Sequence, residues 1–196
     1  MPDGAIVIDN LVEPFGSLSF LPRIGLTFGM CGACDKFTWL GRGPFESYPD
    51  RKTAADVGLY TGTVADQYEE YCRPQENGNK EDVRWAALQD SSGKGILVQA
   101  AGPLSVSVQH FTPQQLEASR HKVGQQAFVK PLVPREDIIL CLDHAQMGLG
   151  GASCGPAPME KYRLKAEPEA FRLVLRPCTG DLSELGRKWI AVPPLS

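Results

Sequence analysis

Long apolar runs are missing from this sequence of 196 residues: none reaches the roughly 18–20 residues that a membrane-spanning helix needs. A basic excess is missing too. Lys and Arg total 20 against 23 Asp and Glu, a net charge of -3 that excludes the usual basic footprint of nucleic-acid binding. The opening MPDGAIVIDN has no basic segment leading into an apolar one, so no secretory leader is expected and a cytoplasmic setting is. Histidine is scarce, with only His110, His121 and His144, all far apart. The six cysteines, at 31, 34, 72, 141, 154 and 178, are scattered rather than spaced as a framework, and reduced thiols are expected. One tight pair exists, Cys31-Gly-Ala-Cys34. It lacks the second ligand pair of a zinc site and the βαβ context of a thioredoxin-type motif, and is read as two core or loop cysteines.

What is present suits a soluble globular protein of one domain, or two small ones at most. Apolar residues make up 42% and charged residues 22%, and the 20 glycines and 16 prolines point to many turns and short strands. Strand segments are expected at 5–8, 18–29, 36–40 and 57–64. A hairpin should join 83–89 to 95–101 through Asp90–Lys94. Further strands are expected at 138–142, 162–164 and 171–176. In 104–111 the alternation sets Leu104, Val106, Val108 and His110 on one face and Ser105, Ser107, Gln109 and Phe111 on the other. Thr112-Pro113-Gln114-Gln115 reads as an N-cap, an N1 proline and a capping-box glutamine, opening a helix to about Arg120. A second helix is expected over 181–188. The helical patterns are too short and too few for βαβ crossovers, so the fold class is all-β, an antiparallel β-sandwich with long loops and one or two short helices. Residues 1–178 form the domain and 179–196 a C-terminal extension.

Two loops gather the unusual residues. The first, Gly41–Arg51, is expected to be irregular and combines Arg42, Glu46, Asp50 and Arg51 with Phe45 and Tyr48, next to Trp39. It reads either as a sugar- or partner-facing surface or as an internally salt-bridged loop closing one end of the sandwich; the second reading is preferred. The other loop, Met147–Pro156, has glycines at 148, 150 and 151 and places Ser153 and Cys154 at its apex. Cys154 as a nucleophile would need a base, and only His144 is near in sequence. Glycosidase chemistry needs two carboxylates about 5–5.5 Å apart for retention. Glu46/Asp50 and Glu69/Glu70 are formally available, but neither pair is set beside an aromatic cleft. No catalytic residue and no metal ligand is therefore assigned.

The motifs PRIGL (22–26), FTWLGRGPFESYPDRKTA (37–54), VGLYTGTV (57–64), YCRPQENGNKEDVRW (71–85), HFTPQQLEASRH (110–121) and LDHAQMGLGG (142–151) resemble the small-chain, or C-terminal, domain of family 2 β-galactosidases. The resemblance implies a galactose-mutarotase-like supersandwich, of which the first half is expected to be missing. It also implies catalytic glutamates in a separate (β/α)₈ barrel, too large for this chain. The partners implied are that barrel chain or domain and a galactoside, with no nucleic acid and no membrane. No cofactor is expected in this chain, although the complete enzyme could use a divalent or monovalent cation. Substrate-proximal residues are expected at Met147, Gly151, Ser153 and Cys154, with His144; His144 and Met147 are read as anchoring the loop's base. Cys154 stands where the family loop often carries a sugar-stacking tryptophan. The polar residues Arg42, Glu46, Asp50, Arg51, Glu76, Asn77 and Arg84 are assigned to an interface or structural loop. A stand-alone carbohydrate-binding or structural sandwich is the alternative. A mutarotase-like enzyme would need His144 to face Asp143 or Glu46.

Overall fold

The structure is a computed structural model that describes residues 4–71, 75–119, 132–151, 155–182 and 192–195. Its strands are β1 (Ile6–Val12), β2 (Phe20–Leu21), β3 (Arg23–Met30), β4 (Lys36–Gly43), β5 (Asp56–Thr63), β6 (Lys80–Gln89), β7 (Lys94–Gln109), β8 (Ile138–Gln146), β9 (Leu164–Lys165) and β10 (Glu169–Thr179). A single α-helix among the described residues, α1, spans Pro113–Ala118. Every strand pairing is antiparallel. The main sheet runs β1-β10-β7-β6-β4-β5, and β8 and then β3 continue from β7. The small β2–β9 pair stands apart.

The long strand β7 makes the sandwich. Its first part, Lys94–Ala100, lies between β10 and β6, whereas Ser105–Gln109 pairs with β8. Gly102 and Pro103 occupy the changeover, where one residue has no side chain to pack and the other no N–H for the ladder. The register of β6 slips between Lys80 and Trp85 alongside. The two layers close on one core, which includes Phe37 and Trp39, Ala86 and Leu88, Val106 and Val108, Leu140 and Leu142, and Leu173 and Leu175. The two-residue spacing within each pair is strand periodicity. Trp39 anchors this core, stacking on Phe37 and Tyr60 with ring centroids 4.7 and 5.4 Å away. On the outer face Trp85, Ala87, Leu97, Cys178 and Leu182 form a second, smaller cluster.

The hairpin forms where the sequence places it, with Asp90 Oδ1 accepting the N–H groups of Ser92 and Lys94 at 2.8 and 3.0 Å. The capping box of α1 is complete. Thr112 Oγ1 accepts from Gln115 N at 3.1 Å, and Gln115 Oε1 accepts from Thr112 N at 2.9 Å. Two expectations are corrected. Gly41, Arg42 and Gly43 continue β4 instead of joining the loop, because β5 offers them a complete ladder. A Cβ at Gly41 would also sit 2.8 Å from a Val83 methyl, so glycine permits the close approach of β6. Tyr162 ends a 3₁₀ turn, Glu160–Tyr162, and the strand follows it at Leu164. Ser105, Ser107 and Gln109, on the polar face of this strand, are buried as well; Glu81 of β6 accepts from Ser105, and Gln109 donates to Gln67 and Asn77. In the tail, Leu182 and Val192 are buried; the helix expected over 181–188 falls largely outside the described residues. No helix among the described residues is long and apolar enough to cross a membrane.

Candidate functional site

The two unusual loops meet. They lie at the end of the sandwich where β4 and β8 finish and β3 and β6 begin, and one carboxylate joins them. Asp50 accepts the backbone N–H of Leu149 at 3.0 Å and of Gly150 at 2.7 Å. A side chain at 148 would collide with it, because a Cβ there would lie 2.6 Å from Asp50 Oδ2. Gly150 has φ +60°, the left-handed region that glycine enters freely. The glycine loop is also held by Met147 N–H to the Pro22 carbonyl (2.9 Å), Gly148 N–H to Tyr162 (2.8 Å) and Gly151 N–H to Pro156 (2.9 Å). Beside it opens a cleft of about 150 Å³ whose lining includes Arg23, Tyr48, Glu76, Gln146, Met147 and Leu149.

Arg23 is the hub of the cleft. Its guanidinium pairs with Asp143 on one side and Glu76 on the other, with Nε 3.1 Å from each Asp143 oxygen. Burial works against the Arg23 charge, but the Asp143 and Glu76 carboxylates overcome it and hold the guanidinium firmly protonated. Asp143 is almost fully buried and accepts from a second partner, Gln146 Nε2, at 2.9 Å. Gly25 makes room for this carboxylate, since a Cβ there would lie 2.2 Å from Asp143 Oδ1, and the ladder bulges between Ile24 and Gly25. Burial also pushes the Tyr48 hydroxyl well above the usual phenol range, and the charge of Glu76 adds to it.

The first loop is an internally bonded unit. Glu46 is buried and accepts from Arg51 and Tyr71, from Tyr48 Oη at 3.2 Å and from Gly78 N–H at 2.8 Å. The Arg51 guanidinium lies over the Tyr48 ring at 5.1 Å. Arg42 points elsewhere: it pairs with Asp82 and donates to the Ala55 carbonyl at 2.7 Å. Lys52 also pairs with Asp82, at 2.9 Å, and with Glu81 at 3.2 Å. Although partial burial disfavours its charge, Asp82 titrates below the usual carboxylate range because Lys52 and Arg42 bond to it. Arg84 donates to the Asp82 carbonyl at 2.7 Å, and Asn77 Oδ1 accepts from Gln109 Nε2 at 2.9 Å and Glu69 N–H at 3.0 Å.

The predicted residues therefore divide. Glu46, Asp50, Arg51, Glu76, Met147 and Gly151 come to the cleft or its rim. Asn77 lies behind it, while Arg42 and Arg84 belong to the neighbouring Asp82 cluster. His144 faces the core side, stacked on Phe171 with centroids 5.0 Å apart and its Nε2 3.5 Å from Glu169. Its neighbour Asp143 projects from the opposite face of β8, as alternation requires, so the two do not face each other. Ser153 and Cys154 lie outside the described residues. Sequence reasoning missed Arg23 and Gln146, and weighed Asp143 only against His144. The available signal for Asp143 was a charge placed directly after the apolar run Ile138–Leu142. Among the described residues, no group of three or more His, Cys, Asp and Glu could hold a metal ion. A larger depression, about 560 Å³, lies at the other end of the sheet around Lys36, Thr61 and Asp90. Of its three carboxylates, Asp66 and Asp90 are spent on their own turns and Asp35 accepts the Val64 N–H at 3.2 Å.

Comparison with known proteins follows the same map. A family model described as "Beta galactosidase small chain" matches residues 1–175. A β-galactosidase of Priestia megaterium is 38% identical over 149 residues, 76% of this chain and 14% of that protein. A β-galactosidase of Kluyveromyces lactis is 34% identical over 155 residues, 79% of this chain and 14% of the relative. One from Vibrio vulnificus is 31% identical over 180 residues, 90% of this chain and 16% of its own length. The chain thus spans 14–16% of the length of these relatives.

Proposed function

Because the chain belongs to the β-galactosidase small-chain family, we propose that it is a non-catalytic subunit or domain of a β-galactosidase. It lends the Met147–Pro156 loop to a galactoside site and interface surface to a catalytic barrel carried elsewhere. The observation that carries this reading is the Asp50 clamp, which fixes the glycine loop at the mouth of the cleft. Cys154, outside the described residues, is the loop residue proposed to meet the sugar, a thiol offering a small apolar contact and a weak donor. The carboxylates support a binding role over a hydrolytic one. Retaining hydrolysis needs one carboxylic acid and one free carboxylate facing the same bond. Here Glu46, Glu76 and Asp143 are each tied to an arginine. No cofactor is assigned to this chain in the proposal, any cation being left to the complete enzyme, and the setting proposed is the cytoplasm.

The test is hydrolysis of a chromogenic β-galactoside by the purified chain, alone and mixed with a barrel-bearing β-galactosidase chain encoded next to it. The expected outcome is no turnover alone and turnover when the two are combined. In the combined enzyme Asp50→Ala should raise KM more than it lowers kcat, because it loosens a binding loop and not the chemistry. Turnover by the chain alone, lost in Glu46→Gln, would overturn the proposal. Galactose binding by the chain with no gain of turnover on mixing would favour a stand-alone carbohydrate-binding sandwich.

A further inference from the structure

The turn between β3 and β4 carries chemistry that the cleft does not use. Cys31-Gly32-Ala33-Cys34 is a β-turn closed by the Cys34 N–H donating to the Cys31 carbonyl at 3.0 Å. A β-turn keeps its first and fourth Cα atoms within roughly 7 Å. Disulfides bridge Cα separations of about 4.4–6.8 Å, so the turn brings the two Cα atoms into the range a disulfide spans. The turn is also firmly seated. A Cβ at Gly32 would lie 1.8 Å from the Glu136 carbonyl oxygen, so the backbone rests directly on that residue. Both cysteines are free; Cys31 is exposed, and Cys34 is half-buried against the main core. Burial pushes the Cys34 thiol up, and the nearby Cys31 and Asp90 add to the shift. The other free thiols among the described residues, Cys141 and Cys178, are buried.

We propose that Cys31 and Cys34 form an oxidisable dithiol, a site of reversible modification by low-molecular-weight disulfides. The exposed Cys31, as thiolate, attacks one sulfur of the small disulfide; that S–S bond breaks, one small thiolate leaves, and Cys31 carries the mixed disulfide. Cys34 gives its proton to solvent and attacks the Cys31 sulfur, expelling the second small thiolate. The protein loses two electrons and two protons, and one small disulfide becomes two thiols. Exposure selects Cys31 for the first attack, and the turn selects Cys34 to resolve it. The closed ring would fix the crossover from the β3–β8 layer to the β4 layer.

Arg23 and Lys36 bracket a tryptic peptide, Ile24–Lys36, that contains these two cysteines and no others. The full chain is equilibrated in glutathione redox buffers of increasing potential, its thiols are alkylated, and its peptides are weighed. The expected result is a loss of both alkylatable thiols in Ile24–Lys36, with a mass lower by two hydrogens and recovery under dithiothreitol. Cys178 should stay reduced under the same conditions. In Cys34→Ser the glutathione adduct should persist on Cys31, because nothing resolves it. The proposal is overturned if the wild-type peptide keeps both thiols, keeps a glutathione adduct, or is cross-linked to the Cys178 peptide or to a second chain.

Discussion

At the scale of single residues, buried charge decides what each substitution does. Lys80 is almost fully buried in β6, with Nζ 5.3 Å from the centre of the Trp39 ring. Burial lowers its pKa to about 8, although the charge of Glu69 opposes the shift. The folded state therefore gives up this proton at a pH where the unfolded chain still holds it. At neutral pH the buried ammonium is a burden, and Lys80→Met should stabilise the protein by roughly 1–3 kcal/mol, net of the lost cation–π contact. As the pH rises from about 8 towards the ordinary lysine range, the wild type should recover and the gap between the two proteins should close. Urea titrations of both proteins at pH 7 and pH 10 check this; a gap that widens with pH is the contrary result. Arg23 behaves in the opposite way. Arg23→Met leaves the Asp143 carboxylate buried with only Gln146 for company, and should cost about 3–5 kcal/mol. A loss below about 1 kcal/mol in the same titration would mean that the pair is solvated after all.

At the scale of elements, local chemistry written in consecutive residues was legible, and chemistry between distant residues was not. The hairpin at Asp90 and the capping box at Thr112 each depend on residues within four positions, and both formed as read. Thr112→Ala should accordingly cost about 1 kcal/mol, measurable as a fall in Tm, with Thr112→Ser recovering most of it. The burial of Ser105, Ser107 and Gln109 could not be read, because alternation reports side-chain direction and not what packs against that face. Asp50 shows the same limit. Its loop and the glycine loop were both singled out, yet the bond between them spans 99 residues and no local pattern encodes it. Limited proteolysis tests that link: Asp50→Ala should speed cleavage within 147–156 while Tm falls only slightly. Unchanged cleavage would show that the Met147, Gly148 and Gly151 backbone bonds suffice. The two loops beside the cleft were legible, one charged and aromatic and the other glycine-rich, whereas the hub of the cleft, Arg23, was hidden inside an ordinary strand start.

At the scale of the whole molecule, the main sheet has three open ends among the described residues, β1, β3 and β5. Ile6, Leu11, Phe15 and Leu18 stand exposed at and after β1, Phe15 at 90%, and Val57 and Leu59 stand exposed on β5. Unpaired strand edges with apolar side chains recruit other chains. Sedimentation of the isolated chain should show mass rising with concentration, and the pair Leu11→Lys and Phe15→Lys should reduce that rise. A compact monomer at high concentration in the wild type would show that these edges are inert. The pairing of β1 with β10 also sets a timetable for synthesis. Ile6 finds its partner in Leu175, so β1 is translated long before the strand it pairs with. At roughly 5–20 residues per second, β1 waits on the order of 10–30 s on the ribosome before β10 exists. Any nascent chain interrupted before Glu169 holds an orphan first strand, and that species is the one a chaperone should meet.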